Sequence, residues 1–318
     1  MTFDPSRPPV IFGEALFDCF PDGAEVLGGA PFNVAWHLSA FAADPLFISR
    51  VGRDALGDRI ADAMAAHGMA TRGLQRDPAH ATGTVQVTLA DGEPCYDIVP
   101  GRAYDCIDAD ALPDDLPAQG LLYHGTLALR APASVDALGA LRRRMRPAVF
   151  LDVNLRDPWW GADQVHGLLA AARWVKLNAD ELAILAPPPD RPESGRPEGS
   201  PEAQENAQDP VLQQARALLR QHGLELVFAT LGAAGALAVR ADGSCLRVAP
   251  AERVDVVDAV GAGDGFASVL ILGLLQDWPL QQTLERAQAF ASAMVGQRGA
   301  TVSDAAFYHR FARAWGLR

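Results

Sequence analysis

The sequence predicts a single α/β domain, spanning residues 1–318, whose mostly parallel sheet is flanked by helices on both faces. Short apolar runs typical of buried strands alternate with helical patterns along most of the chain, and that alternation is typical of such a sheet. Hydrophobic residues make up 49% of the chain, which is enough for a sizeable core. The expected strands are 10–12, 45–49, 148–153, 174–178 and 226–230, and the expected helices are 33–42, 134–144, 164–172 and 211–222. Asp54 is expected to cap a further helix.

Two segments depart from the alternation and predict a small antiparallel sheet outside the main domain. Residues 84–89 alternate apolar and polar side chains, and Asp91-Gly92 then gives a tight-turn signal before 95–99. A second turn signal interrupts residues 15–27. We expect these segments to form a lid over a cleft, built from about 14–30 and 82–106.

Composition excludes several classes of function. The net charge of −12, without a block of Lys and Arg, disfavours nucleic acid or an anionic membrane as a partner. The four cysteines form no CxxC pair, as expected of a reduced cytoplasmic protein. No secretory signal is visible, and the apolar run 267–275 is too short to span a bilayer. Residues 187–210 are poor in large apolar side chains and are expected to form a mobile loop.

The strongest chemical signal is the segment 258–266, Asp-Ala-Val-Gly-Ala-Gly-Asp-Gly-Phe, which precedes an apolar helical stretch. Small residues before a helix let backbone N–H groups converge, and the helix N-terminus adds partial positive charge, so the segment predicts an anion site. Asp264 could accept a proton from a hydroxyl while those amides hold a developing phosphoryl charge. A plain turn in which Asp264 only caps the helix is the alternative interpretation.

Companion motifs favour the catalytic interpretation. Glycines in Gly28-Gly29-Ala30-Pro31-Phe32-Asn33 would let the backbone lie against a ligand, and Asn33 offers a donor and an acceptor to hydroxyls. Polar residues at the carboxyl end of a parallel strand face a ligand crevice. Further motifs of this kind are Asp152-Val153-Asn154-Leu155-Arg156, Asn178-Ala179-Asp180-Glu181 and Thr230-Leu231-Gly232-Ala233-Ala234-Gly235.

Together these motifs resemble the ribokinase-like, or PfkB, family of carbohydrate kinases, in that family's order from residue 13 to 266. The resemblance implies a ribokinase-like fold and ATP-dependent phosphorylation of a small sugar, with Asp264 as catalytic base. It also implies that Gly261, Ala262 and Gly263 form the anion hole and that Arg156 approaches the transferred phosphate or the sugar. The sugar-binding residues that it implies are Asp18, Gly28, Gly29, Asn33, Asp152 and Asn154.

The resemblance assigns further residues to the nucleotide and to ions. ATP would lie along Thr230, Gly232 and Gly235, near Lys176 and Asn178, while Asn178 and Glu181 would organise Mg²⁺ through water. Asp258 would contribute to a K⁺ site, although Val260 stands where the family commonly has threonine or serine. Alternative roles remain open for several residues. Asn178 and Glu181 could be a helix-capping pair, and Lys176 could be a solvated lysine. Asp18 could be a solvated turn acid, and Arg156 could be a structural arginine paired with Asp152 or Asp157.

The expected substrate is D-fructose, phosphorylated to fructose 6-phosphate, because the segment from Gly13 to Asp18 and the pair Trp159-Trp160 resemble bacterial fructokinases. A 2-keto-3-deoxygluconate kinase is the alternative, since Arg156 could pair with an acid sugar's carboxylate, and a ribokinase-type kinase is a further one. A non-catalytic sugar or nucleotide sensor is the alternative from another class. An NAD-dependent oxidoreductase would need a GxGxxG segment after the first strand, and none is present. Lid-to-lid homodimers occur in the family.

Overall fold

The structure is a computed structural model that describes residues 3–90, 93–187, 209–251 and 257–317. Its strands are β1 (Val10–Phe12), β2 (Leu16–Cys19), β3 (Glu25–Gly28), β4 (Leu46–Gly52), β5 (Leu74–Asp77), β6 (Gly83–Ala90), β7 (Glu93–Ile98), β8 (Leu121–His124), β9 (Ala148–Asp152), β10 (Trp174–Asn178), β11 (Leu226–Thr230), β12 (Ala236–Arg240) and β13 (Cys245–Val248). Its helices are α1 (Ala30–Ala40), α2 (Ala55–Ala66), α3 (Pro132–Met145), α4 (Ala162–Leu169), α5 (Ala179–Leu185), α6 (Pro210–His222), α7 (Ala262–Leu275), α8 (Leu280–Val295) and α9 (Ala305–Trp315).

A nine-stranded sheet in the order β13-β12-β11-β10-β9-β8-β1-β4-β5 forms the centre of the fold. Its strands from β11 to β5 pair in parallel, and β12 and β13 continue antiparallel at one edge. The expected mostly parallel sheet is therefore confirmed. β8, which lies between β1 and β9, was not among the strands predicted from the sequence.

Alternation along the strands explains why helices cover both faces of this sheet. Ile11 and Phe47 pack with the buried faces of α1, α2, α7, α8 and α9. Their neighbours Val10 and Leu46 point the other way, toward α3. The face of the sheet that carries Val10 and Leu46 continues past β9, where it packs against α4, α5 and α6. Successive residues of a strand point to opposite faces, so a strand that is apolar throughout is buried on both sides.

A separate four-stranded sheet has the order β3-β2-β6-β7. Its outer pairs are antiparallel, as expected, but β2 and β6 join the two hairpins in parallel. Asp18 is directly paired with Val26 and Val85, so these three side chains share one face of the sheet. A Cβ atom on Gly299 would lie 3.9 Å from Val26 Cγ1, which places this face against the main domain.

Other expectations have mixed outcomes. Asp54 caps α2 as expected, accepting a hydrogen bond from the Gly57 N–H at 2.8 Å. The helices α8 and α9 were not among those predicted from the sequence. The Asp91-Gly92 turn and most of the expected loop at 187–210 lie outside the described residues. Among the described helices, none has the length and apolar character needed to cross a membrane.

Candidate active site

The predicted anion site lies at the start of α7. Gly261 precedes the helix with φ of +77°, and a Cβ atom there would lie 2.4 Å from Ala300 Cα, so only glycine fits. Within the described part of the chain, the backbone N–H groups of Gly263 and Asp264 have no hydrogen-bond partner. They are the unsatisfied first donors of a helix 14 residues long, and they are available to an anion.

Asp264 is held in place by Asn33, which belongs to the predicted sugar-binding motif 28–33. Asn33, in α1, donates from Nδ2 to Asp264 Oδ2 at 2.8 Å, although the two residues are 231 positions apart in the chain. Asn33 Oδ1 is buried without a partner. A Cβ atom on Gly28 would lie 3.9 Å from both Asn33 Oδ1 and Asp18 Oδ2. Space beside Gly28 is therefore bordered by two oxygen acceptors that suit ligand hydroxyls.

Three carboxyl groups with raised pKa values surround this space. Burial raises the pKa of Asp264 to about 6, against the lowering effects of the Asn33 hydrogen bond and the Lys176 charge. Burial likewise raises the pKa of Asp18 to about 6, with Arg156 opposing the shift. Such shifts are typical of groups that exchange protons near neutral pH.

Glu14 is the third of these groups, and the sequence analysis assigned it no role. It is 3% exposed and its Oε2 atom has no partner. Burial raises the pKa of Glu14 to about 7, the N–H of Ala30 partly offsets this, and the nearby Asp264 charge adds to it. Its position two residues after the end of β1, at the carboxyl edge of a parallel sheet, was the signal in the sequence that could have identified it.

Lys176 and Asp152 form an ion pair in the floor of the site. Lys176 Nζ lies 2.9 and 3.0 Å from the two Asp152 oxygens, and Tyr123 donates to Asp152 Oδ2 at 3.1 Å. Asp152 is 1% exposed. Its carboxylate is thus the ion-pair partner of Lys176, and its contact with the sugar stays a prediction.

Lys176 is not the solvated lysine of the alternative interpretation, because it is 8% exposed. Burial alone would lower the pKa of Lys176, but Asp152 and Asp264 outweigh it and raise that pKa. A Cβ atom on Gly263 would lie 3.3 Å from Lys176 Nζ. The structure therefore places a fixed positive charge beside the anion site.

Arg156 is exposed, and no ion pair to Asp152 or Asp157 is present in the described chain. Its charge lowers the pKa of Glu14, Asp18 and Asp264, so the guanidinium lies within electrostatic reach of all three. Asn154, two residues earlier, is partly exposed with φ of +40°. The predicted approach of Arg156 to the ligand space is thus compatible with its position.

Asn178 and Glu181 form a capping box at the start of α5. Asn178 Oδ1 accepts from the Glu181 N–H at 2.9 Å, and Glu181 Oε2 accepts from the Asn178 N–H at 2.8 Å. Glu181 Oε1 accepts from the Leu155 N–H at 2.8 Å. Both carboxylate oxygens are therefore engaged, and the structure shows the capping alternative. A role of these residues in holding Mg²⁺ through water, with phosphates supplying the direct ligands, stays a prediction.

The loop predicted to bind the nucleotide is the glycine-rich turn after β11. Thr230 ends β11 opposite Asn178 of β10, and Leu231 donates to the Gly235 carbonyl at 2.8 Å. A Cβ atom on Gly235 would lie 1.9 Å from the Val248 carbonyl oxygen, so the turn requires glycine. Gly232, at φ of +57°, borders open space. The loop is thus a tight exposed turn beside Asn178.

Asp258 joins two loops near the start of α7. Its Oδ1 atom accepts from the Val260 N–H at 2.9 Å, and its Oδ2 atom accepts from the Gly299 N–H at 3.0 Å. These bonds bring the 258–261 segment against the 299–300 segment. The expected K⁺ site would lie there, next to 252–256, which are outside the described residues.

Most predicted site residues thus converge at the carboxyl edge of the parallel strands. Asp264, Asn33, Asp18, Gly28 and Lys176 lie together around one space. Gly29 has φ of +109° and packs on the Glu14 carbonyl, so it shapes the same wall. An acid, converging N–H donors and a buried ammonium make this arrangement suitable for moving an anionic group onto a hydroxyl.

Comparisons with known proteins agree with this chemistry. The sequence pattern of the pfkB family of carbohydrate kinases matches residues 20–306. Aminoimidazole riboside kinase of Salmonella typhimurium is 30% identical over 313 residues, covering 91% of this chain and 89% of that protein. Fructokinase of Klebsiella pneumoniae is 31% identical over 281 residues, covering 83% of each.

The fold of this chain is also similar to the folds of solved structures. Fructokinase from Vibrio cholerae O395, solved with fructose, ADP and calcium ion bound, superposes with a TM-score of 0.75 at 26% identity, covering 96% of this chain and 99% of that one. The predicted ribokinase-like architecture is confirmed. The chain belongs to the pfkB family of carbohydrate kinases.

Proposed function

We propose that this kinase transfers the γ-phosphoryl group of ATP to the primary hydroxyl of D-fructose and produces fructose 6-phosphate. The observation that carries the proposal is the placement of Asp264. This acid lies beside free helix N–H groups and is hydrogen-bonded to Asn33, whose Oδ1 atom lies unpaired next to the space at Gly28.

The acceptor sugar would lie in the space beside Gly28. Asp18 and the unpaired Oδ1 of Asn33 accept hydrogen bonds from its hydroxyls. The reacting hydroxyl faces Asp264, which takes its proton as that oxygen attacks the γ-phosphorus in line. The bond from phosphorus to the bridging oxygen breaks, and ADP leaves.

The start of α7 would stabilise the transferring group. The N–H groups of Gly263 and Asp264 point to its oxygens, and each donor of this kind is worth roughly 10²–10³ in rate. Lys176 adds a positive charge that Asp152 keeps in position. Mg²⁺, held mainly by phosphates and water, supplies charge neutralisation when bound.

The nucleotide would lie along the turn formed by residues 230–235, with its phosphates directed toward α7. The small sheet would act as the lid, because its face that carries Asp18 lies against the main domain at Gly299. Closure over the substrates would exclude water and limit hydrolysis of ATP. A K⁺ ion near Asp258 and a homodimer through the small sheet remain predictions of the sequence, checked by salt dependence and by sedimentation.

A riboside is the second candidate acceptor. The riboside kinase of Salmonella typhimurium and the fructokinase of Klebsiella pneumoniae are almost equally similar to this chain. Both acceptors present a primary hydroxyl on a sugar. An acid sugar such as 2-keto-3-deoxygluconate is a further candidate, supported by the exposed Arg156 near the site.

A panel of sugars tests the proposal through sugar-dependent release of ADP. D-fructose should give the highest kcat/KM among fructose, ribose, aminoimidazole riboside, 2-keto-3-deoxygluconate and glucose. A higher kcat/KM for the riboside would leave the proposed mechanism standing and would identify the riboside, rather than D-fructose, as the substrate. Absence of sugar-dependent ADP release with every member would contradict the proposed reaction.

A further inference from the structure

Asp77, His80 and Cys106 form a cluster outside the site described above. One candidate ligand atom from each lies within 4.8 Å of the other two. His80 Nδ1 lies 3.1 Å from Asp77 Oδ2, and His80 Nε2 lies 3.8 Å from Cys106 Sγ. Carboxylate oxygen, imidazole nitrogen and thiolate sulfur are the ligand types found in zinc sites.

The cluster lies where the β6–β7 hairpin joins the main domain. Asp77 ends β5 in the large sheet, His80 lies in the connection that enters β6, and Cys106 lies in the connection that leaves β7. The two connections touch, because the Ala103 N–H donates to the Ala81 carbonyl at 2.9 Å. One ion bound here would tie both connections to the large sheet.

The charges around the cluster balance a divalent cation. Arg50 Nε lies 2.8 Å from Asp77 Oδ2, and its Nη1 lies 3.6 Å from Asp108 Oδ2. The guanidinium would repel a cation if it stood alone. Asp77, Asp108 and a Cys106 thiolate together carry three negative charges, which offset Arg50 and a divalent ion. Arg50 then serves as the outer partner that orients the ligating carboxylate.

The ligand atoms would have to move closer together to bind a metal ion. Asp77 would use Oδ2, because its Oδ1 accepts from the Ala79 N–H at 2.7 Å and from the His80 N–H at 3.0 Å. Tetrahedral zinc, with bonds of about 2.0–2.3 Å, holds its ligand atoms roughly 3.2–3.7 Å apart, so atoms that are now as much as 4.8 Å apart would have to approach by roughly 1.1–1.6 Å. The side chain of His80 is 41% exposed, so an ion can reach the cluster from solvent.

We propose that Asp77, His80 and Cys106 bind Zn²⁺, with water in the fourth position, and that the bound ion fixes the orientation of the β6–β7 hairpin. Cys106 gives up its thiol proton to solvent on binding. Closure of the proposed lid would need this hairpin to move, so an ion that fixes its orientation should inhibit turnover. The effect on turnover rests on the proposed function, whereas the metal site does not.

Co²⁺ is the probe that tests the site, because a thiolate ligand gives Co²⁺ a charge-transfer band in the near ultraviolet. The full-length protein, freed of metal by a chelator and kept in excess Mg²⁺, should bind one equivalent of Co²⁺ with this band, and Zn²⁺ should displace it. Cys106→Ser and His80→Gln should each lose the band. Cys95→Ser and Cys245→Ser, which change cysteines elsewhere, should keep it.

Two results would overturn the site: no thiolate band in the wild-type protein, or a band that persists in Cys106→Ser. The inhibition of turnover by the bound ion has its own test. Micromolar Zn²⁺ should lower sugar-dependent ADP release at least tenfold in the wild-type protein and less than twofold in His80→Gln. Equal inhibition of both proteins would overturn the claim that Zn²⁺ inhibits turnover through this cluster. A chain that binds Co²⁺ as expected but releases no ADP with any sugar would contradict the proposed function instead.

Discussion

Replacing Asp264 with asparagine removes the proposed base while keeping the shape of the site. The amide oxygen of the introduced side chain can still accept the hydrogen bond that Asn33 now donates over 2.8 Å. Loss of a positioned general base costs roughly 10²–10⁴ in rate. We therefore expect Asp264→Asn to lower kcat by at least about 10², with little change in the Kd for ATP, since the amide still leaves the N–H groups of α7 free.

The same substitution should stabilise the fold at neutral pH. Asp264 has an ordinary pKa of 3.8 that rises to about 6 in the folded protein. A raised carboxyl pKa means that the folded state binds the proton more tightly, so this group's contribution to stability falls as pH rises between about 4 and about 6. At about 1.4 kcal/mol for each pH unit, the cost of ionised Asp264 at pH 8 is at most about 3 kcal/mol.

Urea unfolding of both proteins at a series of pH values measures this difference. The free energy of unfolding of Asp264→Asn should exceed that of the wild type by up to about 3 kcal/mol at pH 8, and the excess should vanish near pH 4. Asp62→Asn, which alters an exposed acid on α2, is the matched control and should show neither effect. A variant that retains wild-type kcat would contradict the role of Asp264 as base, and a stability difference that does not change with pH would contradict its raised pKa.

Three further predictions concern the neighbours of this acid. Lys176→Met leaves buried Asp152 without its cation, so we expect a loss of about 3–5 kcal/mol in the free energy of unfolding by urea titration, and Asp152→Asn in the same protein should recover much of it. Arg156→Met removes a charge that lowers the pKa of Asp264; the acidic limb of kcat/KM against pH should move upward from about 6, and an unmoved limb would place Arg156 outside the site. Gly261→Ala introduces a Cβ atom against Ala300 at a positive φ, so kcat should fall at least about tenfold while Gly232→Ala, in open space, has a smaller effect.

Much of the fold could be predicted because the strands are apolar runs separated by helical patterns. β8 and the helices α8 and α9 were not identified, although all three are required to complete the core. The parallel pairing of β2 with β6 could not be predicted from turn signals, because such signals specify only hairpins. That pairing joins segments about 65 residues apart in the chain, which local patterns do not encode.

The candidate site was predictable where small residues precede a helix. Asp264, Gly261 and Asn33 came from two such motifs, and the structure brings Asn33 and Asp264 into hydrogen-bond contact. The pairing of Lys176 with Asp152 was missed, because it depends on the register of β9 and β10 rather than on either motif. Glu14 was missed as well, because a single acid after a strand differs from a solvated one only through its burial.

A crystal structure of the protein with D-fructose and a non-hydrolysable ATP analogue tests directly whether Asp264 is placed to act as the base. We expect the primary hydroxyl of the sugar to lie within about 3.2 Å of an Asp264 oxygen, on the line to the γ-phosphorus, and the γ-phosphate oxygens to meet the N–H groups of Gly263 and Asp264. A complex in which that hydroxyl faces another residue, or in which the phosphates bind away from α7, would contradict that placement.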